Sequence, residues 1–524
     1  MMVTLHIALA AAAVLLLILR SVIKSALSPL KHLPIAPQIP ARKRLLVEPS
    51  PDQLRDWARK IPNDGLIRYR GRLNVEKLLV TNTQLTEELM VKRCYEFQKP
   101  PTVSRVIRSL LGDGLVVVEG NVHKVPLVHT NDPWRGTDIV KSQRSALRPA
   151  FKLPKIKAGY PIYWKKTSQF VDHLAKKSAG DVNEVVELAE PISNVTLDVI
   201  GIAGFGLDFD CLADPDNELA KNYIKAFAPS PDAEMYRVLL VLFPDWLLAK
   251  LPLKRARTIQ AAIATVKRHA GRMIDQKKAH IERQDKTTAA GDLLGDLMVE
   301  SGIRDTDALV NQSMTLLGAG HDTVAGTVTR AAHQLAVSPA IQQRLRDEVR
   351  STFPSLSTDI DAALLDDNNS KTPYLNAFCE EVLRFHNSIP YLARCNLAAT
   401  TIGGLAVPKG TPFTIPISLM NRNPALWKED PSVFDPERWL SEPRGGASEK
   451  NAFMTFNQGP RTCIGEKFAR GEVKALVAGL VGSFQMTLVG TGESGNEQEM
   501  AFEHGIVSRL KGGLWIKMHP LGEW

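Results

Sequence analysis

Cysteine is scarce in this chain. Only five occur in 524 residues, Cys94, Cys211, Cys379, Cys395 and Cys463, an odd number at wide spacing with no C-x-x-C. That excludes a disulfide scaffold, a zinc ribbon and a thioredoxin-type redox pair. Blocks of like charge are missing too. The 65 Lys+Arg and 56 Asp+Glu leave a net +9 spread along the chain, which is no footprint for nucleic acid. No internal repeat of roughly 20–50 residues is visible, and low complexity is confined to the N-terminus. With 23% charged and 44% hydrophobic residues, disorder is excluded as the main state.

Val3–Ile23 reads VTLHIALAAAAVLLLILRSVI and is wholly apolar from Ile7 to Leu19. A helix of that length spans about 30 Å, one hydrocarbon core. Arg20, Lys24 and Lys31 follow the run rather than precede it, the reverse of a cleaved signal peptide. Residues 3–23 are therefore expected to be a single transmembrane signal anchor, set in the endoplasmic reticulum with everything after it cytosolic. Pro29, Pro34, Pro37 and Pro40 are too closely spaced for helix or central strand, so 24–50 reads as a stiff linker.

Residues 51–524 read as one domain, mainly α with a smaller β part. Strand-like pieces lie near 65–82, 392–416 and 484–517. Asn311–Val337 carries small and apolar residues with few charges and predicts a buried central helix. Ile341–Phe353 is amphipathic and follows Ser338-Pro339, a helix start. Gly490–Gly495 fits G-x-G-x-x-G, but no apolar helix follows it, so it reads as a hairpin turn and not a dinucleotide site. Three sequons, at Asn194, Asn311 and Asn368, would stay unmodified in a cytosolic body.

The strongest local signal is Phe456-Asn457-Gln458-Gly459-Pro460-Arg461-Thr462-Cys463-Ile464-Gly465. Gly459 and Gly465 allow a tight turn and close approach to a flat partner. Glu466–Val481 is helical in pattern, so Cys463 sits just before a helix N-terminus, where N–H groups and the dipole stabilise a thiolate. A thiolate with no Cys or His neighbour suits one axial metal bond. A lone cysteine is more often a small buried hydrophobe. Here, however, the segment matches F-x-x-G-x-R-x-C-x-G in full, and so resembles the haem-binding signature of the cytochrome P-450 family.

The resemblance extends over nearly the whole body. Glu381-Val382-Leu383-Arg384 is similar to the family's E-x-x-R, and Pro436-Glu437-Arg438-Trp439 to its P-E-R segment. Glu381, Arg384 and Arg438 are thereby expected to form a structural triad. Ala319-Gly320-His321-Asp322-Thr323 is similar to [AG]-G-x-[DE]-T. Ala319 and Gly320 would leave room for dioxygen, Thr323 would hydrogen-bond it, and Asp322 would feed protons. His321 reads as a helix-face residue and not a metal ligand. The resemblance implies a haem-thiolate fold behind one transmembrane helix, with haem b on Cys463 as axial ligand. Phe456, Arg461 and Gly465 would border the haem. Arg394 and Arg461 would hold its propionates, joined by His123 and Arg144.

The implied activity is insertion of one oxygen atom from O2 into a small lipophilic substrate, in the manner of fungal microsomal members that oxidise secondary metabolites. No flavin or nicotinamide motif is present, so electrons are expected from an NADPH-dependent cytochrome reductase. Lys467, Arg470 and Lys474 are expected to offer it a basic docking face. Substrate walls are expected near 100–120, 225–245 and 385–395. A haem-thiolate isomerase or dehydratase is the alternative activity, and Asp322-Thr323 argues against it.

One stretch departs from the family. A helix near residue 120 commonly reads [WH]-x-x-x-R, but here 17 residues, Val125–Lys141, separate His123-Lys124 from Ser142-Gln143-Arg144. Deleting them restores H-x-x-x-R. The segment contains Pro126 and Pro133 and lacks a helical apolar period. It is read as a translated retained intron. Its 17 codons make 51 nucleotides, valine codons begin GT, and one lysine codon ends AG. A surface loop is the other reading. If the segment is present, it would separate His123 from Arg144 and could leave an inert product without haem.

Overall fold

The computed structural model describes residues 28–38, 40, 47–120, 143–214, 216–227, 236, 239–240, 243, 248, 254–283, 291–301, 303, 305–366, 369–489, 502–504 and 507–522. The expected anchor at 3–23, part of the linker, His123, the segment 125–141, Asn368 and the glycine-rich 490–495 lie outside them. Among the described residues no helix is long and apolar enough to cross a membrane.

Helices dominate, and several start where local chemistry dictates. Ser50 Oγ accepts from Gln53 N at 3.2 Å while Gln53 Oε1 accepts from Ser50 N at 3.0 Å. This reciprocal cap, with Pro51 following, opens the helix Pro51–Lys60. Asp305 accepts from Ala308 N at 2.8 Å and caps the central helix Thr306–Val337, which begins five residues before the expected Asn311. Its small and apolar faces pack against Ala189–Phe205, Lys254–Arg283 and Glu466–Ser483. Pro339–Thr352 and Pro373–Phe385 complete the core around it.

The β part is small and split. Its strands are β1 (Leu66–Arg70), β2 (Glu76–Val80), β3 (Phe97–Gln98), β4 (Val185–Glu187), β5 (Tyr391–Asn396) and β6 (Thr400–Ile402). They continue with β7 (Leu405–Val407), β8 (Pro412–Pro416), β9 (Phe484–Leu488), β10 (Phe502–His504), β11 (Ser508–Leu510) and β12 (Trp515–Pro520). One sheet has the order β1-β2-β8-β5-β3, and a second β4-β12-β9. β5 pairs antiparallel with β8, Arg394 opposite Phe413. β10 and β11 form a separate hairpin, His504 opposite Ser508. The three expected strand regions are found. β3 and β4, two and three residues long, are too short for a periodicity to register.

Candidate active site

The cysteine loop is built on backbone that only certain residues adopt. Asn457 and Gly459 have φ of 62° and 73°, and a Cβ on Gly459 would stand 2.7 Å from Met90 O, so glycine is required there. Cys463 N donates to Phe456 O at 2.8 Å and closes the loop. Asn457 Nδ2 donates to Arg461 O at 3.0 Å. The helix Glu466–Ser483 starts three residues beyond the cysteine.

Four of the five cysteines are buried, whereas Cys463 is exposed. Protein crowds its other sides, and burial pushes the thiol up to about 11, against the pull of the Gly465 N–H and of Arg144. Arg144, on the short helix Gln143–Leu147, is thus brought to the sulfur electrostatically.

The central helix carries a matching opening. Most of its turns are buried, yet Ala319 is exposed and Thr323 only half-buried. Thr323 Oγ1 donates to Ala319 O at 2.8 Å, which leaves its lone pairs open to a donor. Gly320 departs from expectation. Its missing Cβ would lie 3.0 Å from Ile200 Cδ1, so its smallness serves packing against Ala189–Phe205 and makes no room beside Ala319.

A cationic corner lies between the first sheet and the cysteine loop. Arg461 Nη1 donates to Cys94 O at 2.8 Å and Phe97 O at 2.9 Å, and Nη2 pairs with Glu119. Lys99 Nζ reaches the same carboxylate at 2.8 Å. Arg394 Nη1 donates to Ala393 O at 2.8 Å. Burial, and then Arg461, push its guanidinium down to about 10. The Nε atoms of both Arg394 and Arg461 are buried with no partner. Lys99, Arg394 and Arg461 thus outnumber the one carboxylate by two, and two buried N–H donors are unmet.

These residues fit a haem. An open cysteine, an open turn of the central helix and two unmet guanidinium donors match one axial thiolate, a flat macrocycle and two propionates.

Behind the loop, the predicted triad is brought together. Arg384 Nε and Nη2 donate to Glu381 at 2.7 and 2.6 Å, and Arg438 Nε at 3.2 Å. Trp439 Nε1 and Asp435 N complete the carboxylate's partners at 2.9 and 2.8 Å. Arg384 also donates to Asn421 O, Pro431 O and Val433 O. All three charged side chains are buried.

The expected docking trio is corrected. Lys467 is exposed. Arg470, however, is buried and paired with Glu380 and Glu466, and Lys474 is buried with Nζ turned towards Leu365 O. Helical spacing places them on one face, but beyond the first turn that face packs inward.

Asp322 is also less free than expected. Arg509 Nη2, on β11, lies 2.6 Å from both of its carboxylate oxygens. His321 is 1% exposed and packs among Ser193 and Tyr223. It lies on an inward face rather than a solvated one. Among the described residues no cluster of three or more His, Cys, Asp or Glu side chains is arranged to hold a metal ion. Of the expected substrate walls, Pro101–Leu111 packs against the central helix, and most of 225–245 falls outside the described residues. Glu119, Lys99, Arg509 and Ser193 carried no signal in the sequence, because each acquires its meaning from a partner far along the chain.

A cytochrome P-450 family profile matches residues 74–514. The cytochrome P-450 monooxygenase sphH of Aspergillus fumigatus is 36% identical over 515 residues, covering 95% of this chain and 89% of its own. The cytochrome P-450 monooxygenase ALT8 of Alternaria alternata is 32% identical over 564 residues, covering 95% and 91%. The crystal structure of the cytochrome P-450DA haem domain superposes with a TM-score of 0.71 at 23% identity, covering 93% of this chain and 97% of that one. The chain belongs to the cytochrome P-450 family. It is a cytochrome P-450 monooxygenase, mainly helical with small sheets.

Proposed function

We propose that this monooxygenase binds haem b through Cys463 and inserts one oxygen atom from O2 into a small lipophilic substrate in secondary metabolism. The observation that carries the reading is the pairing of an open Cys463 with two buried, unmet arginine N–H donors. When bound, the haem supplies an iron that takes up dioxygen and two electrons. The chain's own part is to hold, orient and protonate. Gly465 N–H steadies the sulfur. Arg394 and Arg461 would hold the propionates, joined by Arg144 and, as the family resemblance implies, by His123. Phe456, stacked under Arg470 with the cation 4.9 Å from the ring centroid, braces the loop. Thr323 Oγ1 would accept a donor at the oxygen site, and Asp322 would pass protons to it.

A thiolate-type Soret band in the carbon monoxide difference spectrum, lost in Cys463→Ala, is the expected result. An absent band in the wild-type chain would favour the inert reading. Removing residues 125–141, which joins His123-Lys124 to Ser142-Gln143-Arg144, should then raise haem per chain towards one. Unchanged haem content would clear the segment of blocking haem, and transcripts that uniformly retain its 51 nucleotides would sink the intron reading.

The electron donor is proposed to be an NADPH-dependent reductase at the cysteine-loop side. Arg148, Lys152 and Lys467 are exposed, and Phe151 beside them lies 3.7 Å from where a Gly465 Cβ would stand. Reversing these three charges should slow NADPH-driven reduction several-fold, and more at low salt, while dithionite reduction stays normal. An unchanged rate rejects the face. The anchor at 3–23 is proposed to hold the body on the cytosolic side of the endoplasmic reticulum. Alkaline carbonate extraction of the full chain should leave it in the membrane pellet.

A further inference from the structure

Asp322 stands where three elements meet. Arg509 holds both of its oxygens from β11. His321, its neighbour on the central helix, has Nδ1 at 3.6 Å from Oδ1. That nitrogen is buried and has no hydrogen-bond partner. On the other side of the ring, Nε2 is 2.8 Å from Ser193 Oγ, and Ser193 is half-buried on the helix Ala189–Phe205. Tyr223 closes the remaining side, its ring edge-on to the imidazole at 4.8 Å and 89°, with a buried hydroxyl that also has no partner.

Burial pushes the imidazole down to about 4, so the ring is neutral and carries one N–H. Acceptors lie at both ends of the ring, the Asp322 carboxylate towards Nδ1 and the Ser193 hydroxyl oxygen and backbone carbonyl towards Nε2. A relay into Asp322 needs the proton on Nδ1, with Nε2 accepting from the Ser193 hydroxyl.

We propose that Ser193 and His321 form the proton path into Asp322, with His321 the positioning residue through which that acid is recharged from the Ala189–Phe205 side. The proposal rests on the reading of Asp322 and Thr323 as the acid–alcohol pair. In one transfer, the Nδ1 proton passes to Asp322, Nε2 takes the Ser193 proton, and the Ser193 oxygen takes one from solvent. One proton crosses, and the ring is left protonated on Nε2. The 3.6 Å separation is too long for a hydrogen bond. Transfer requires that gap to close by roughly 0.5 Å, to hydrogen-bond reach.

The test uses holoenzyme reconstituted with a reductase and NADPH, with no organic substrate added, and measures peroxide and water formed per NADPH. Asp322→Asn is the reference. His321→Gln, which keeps a hydrogen-bonding side chain but cannot relay, and Ser193→Ala should each lower the water-forming rate roughly tenfold or more, at or below the low end of a positioned proton donor's worth. Both should raise the solvent isotope effect with unchanged melting temperature. If Asp322→Asn lowers it and the other two do not, the path is overturned while the acid reading stands. If Asp322→Asn does nothing, the acid reading fails and takes the path with it. Independently of turnover, 15N NMR of the carbon monoxide-bound reduced protein should show His321 protonated on Nδ1. A ring protonated on Nε2 would falsify the proposal.

Discussion

The two sides of Cys463 differ in how far the protein itself answers its buried charge. Behind the loop, Glu381 is met by Arg384, Arg438, Trp439 and the Asp435 N–H, and Arg384 spends its remaining donors on three carbonyls. Two arginines face one carboxylate there, but backbone carbonyls absorb most of the surplus donors, and within that network one nitrogen, Arg438 Nη1, lacks a partner. In the cationic corner, Arg394 and Arg461 each leave Nε unmet while cations outnumber the one carboxylate. A network closed by the protein itself reads as scaffold, since it offers a ligand nothing. A corner with a larger surplus of positive charge and an unmet Nε on each arginine is incomplete without an anion. Unmet atoms alone would not make that distinction. Glu472 has both carboxylate oxygens buried and unpartnered, but a carboxyl can become neutral by holding a proton, and a guanidinium cannot at neutral pH.

The largest effect should come from breaking the closed side. Glu381→Ala leaves Arg384 and Arg438 buried without a counter-charge, a loss of about 3–5 kcal/mol. The variant should yield little soluble protein, and circular dichroism should show lost helix along with lost haem. A folded variant without haem would move the triad from scaffold to cofactor binding. The open side predicts the converse. Arg394→Leu should keep its fold and melt within a few degrees of wild type when haem-free. Each charge-assisted hydrogen bond is worth about 1.5–3 kcal/mol, so haem should transfer to apomyoglobin roughly 10–100-fold faster. An unchanged transfer rate would detach Arg394 from the propionates.

What the sequence made legible follows the range of the interactions. The Cys463 loop spans ten residues, and Glu381 and Arg384 stand three apart on one helix, so their pattern is local and survives reading in one dimension. The partners of Asp322 and Arg461 do not. Arg509 is 187 residues from Asp322, Ser193 128 from His321 and Glu119 342 from Arg461. No periodicity links them. Helical spacing also misled where burial decided the outcome. Gly320 turned to a neighbouring helix, and Arg470 and Lys474 faced the core, because a face defined by spacing says nothing of what packs against it. The overall fold class was legible because long apolar-patterned helices signal themselves, and two-residue strands do not.

A pH-dependent effect tests whether neutralisation explains Glu472. Burial raises its carboxyl well above the usual range, so the folded chain keeps that proton after the unfolded chain has lost it near pH 4.3. Below that pH both states hold the proton and the group imposes no pH dependence. Above it the unfolded state releases the proton, so stability falls as pH rises until the folded carboxyl itself ionises. Glu472→Gln, which cannot ionise, should match wild type near pH 4 and then gain on it by up to about 1.4 kcal/mol per pH unit, read from urea midpoints between pH 5 and pH 8. The contrast with Arg394 lies in the medium that resolves each imbalance. Glu472 is answered by a proton from solvent, and so its removal should leave haem transfer unchanged. If Glu472→Gln tracked wild type at every pH, its oxygens would be ionised and matched by a cation. The distinction between a buried acid that discharges itself and buried arginines that require an anion would then fail.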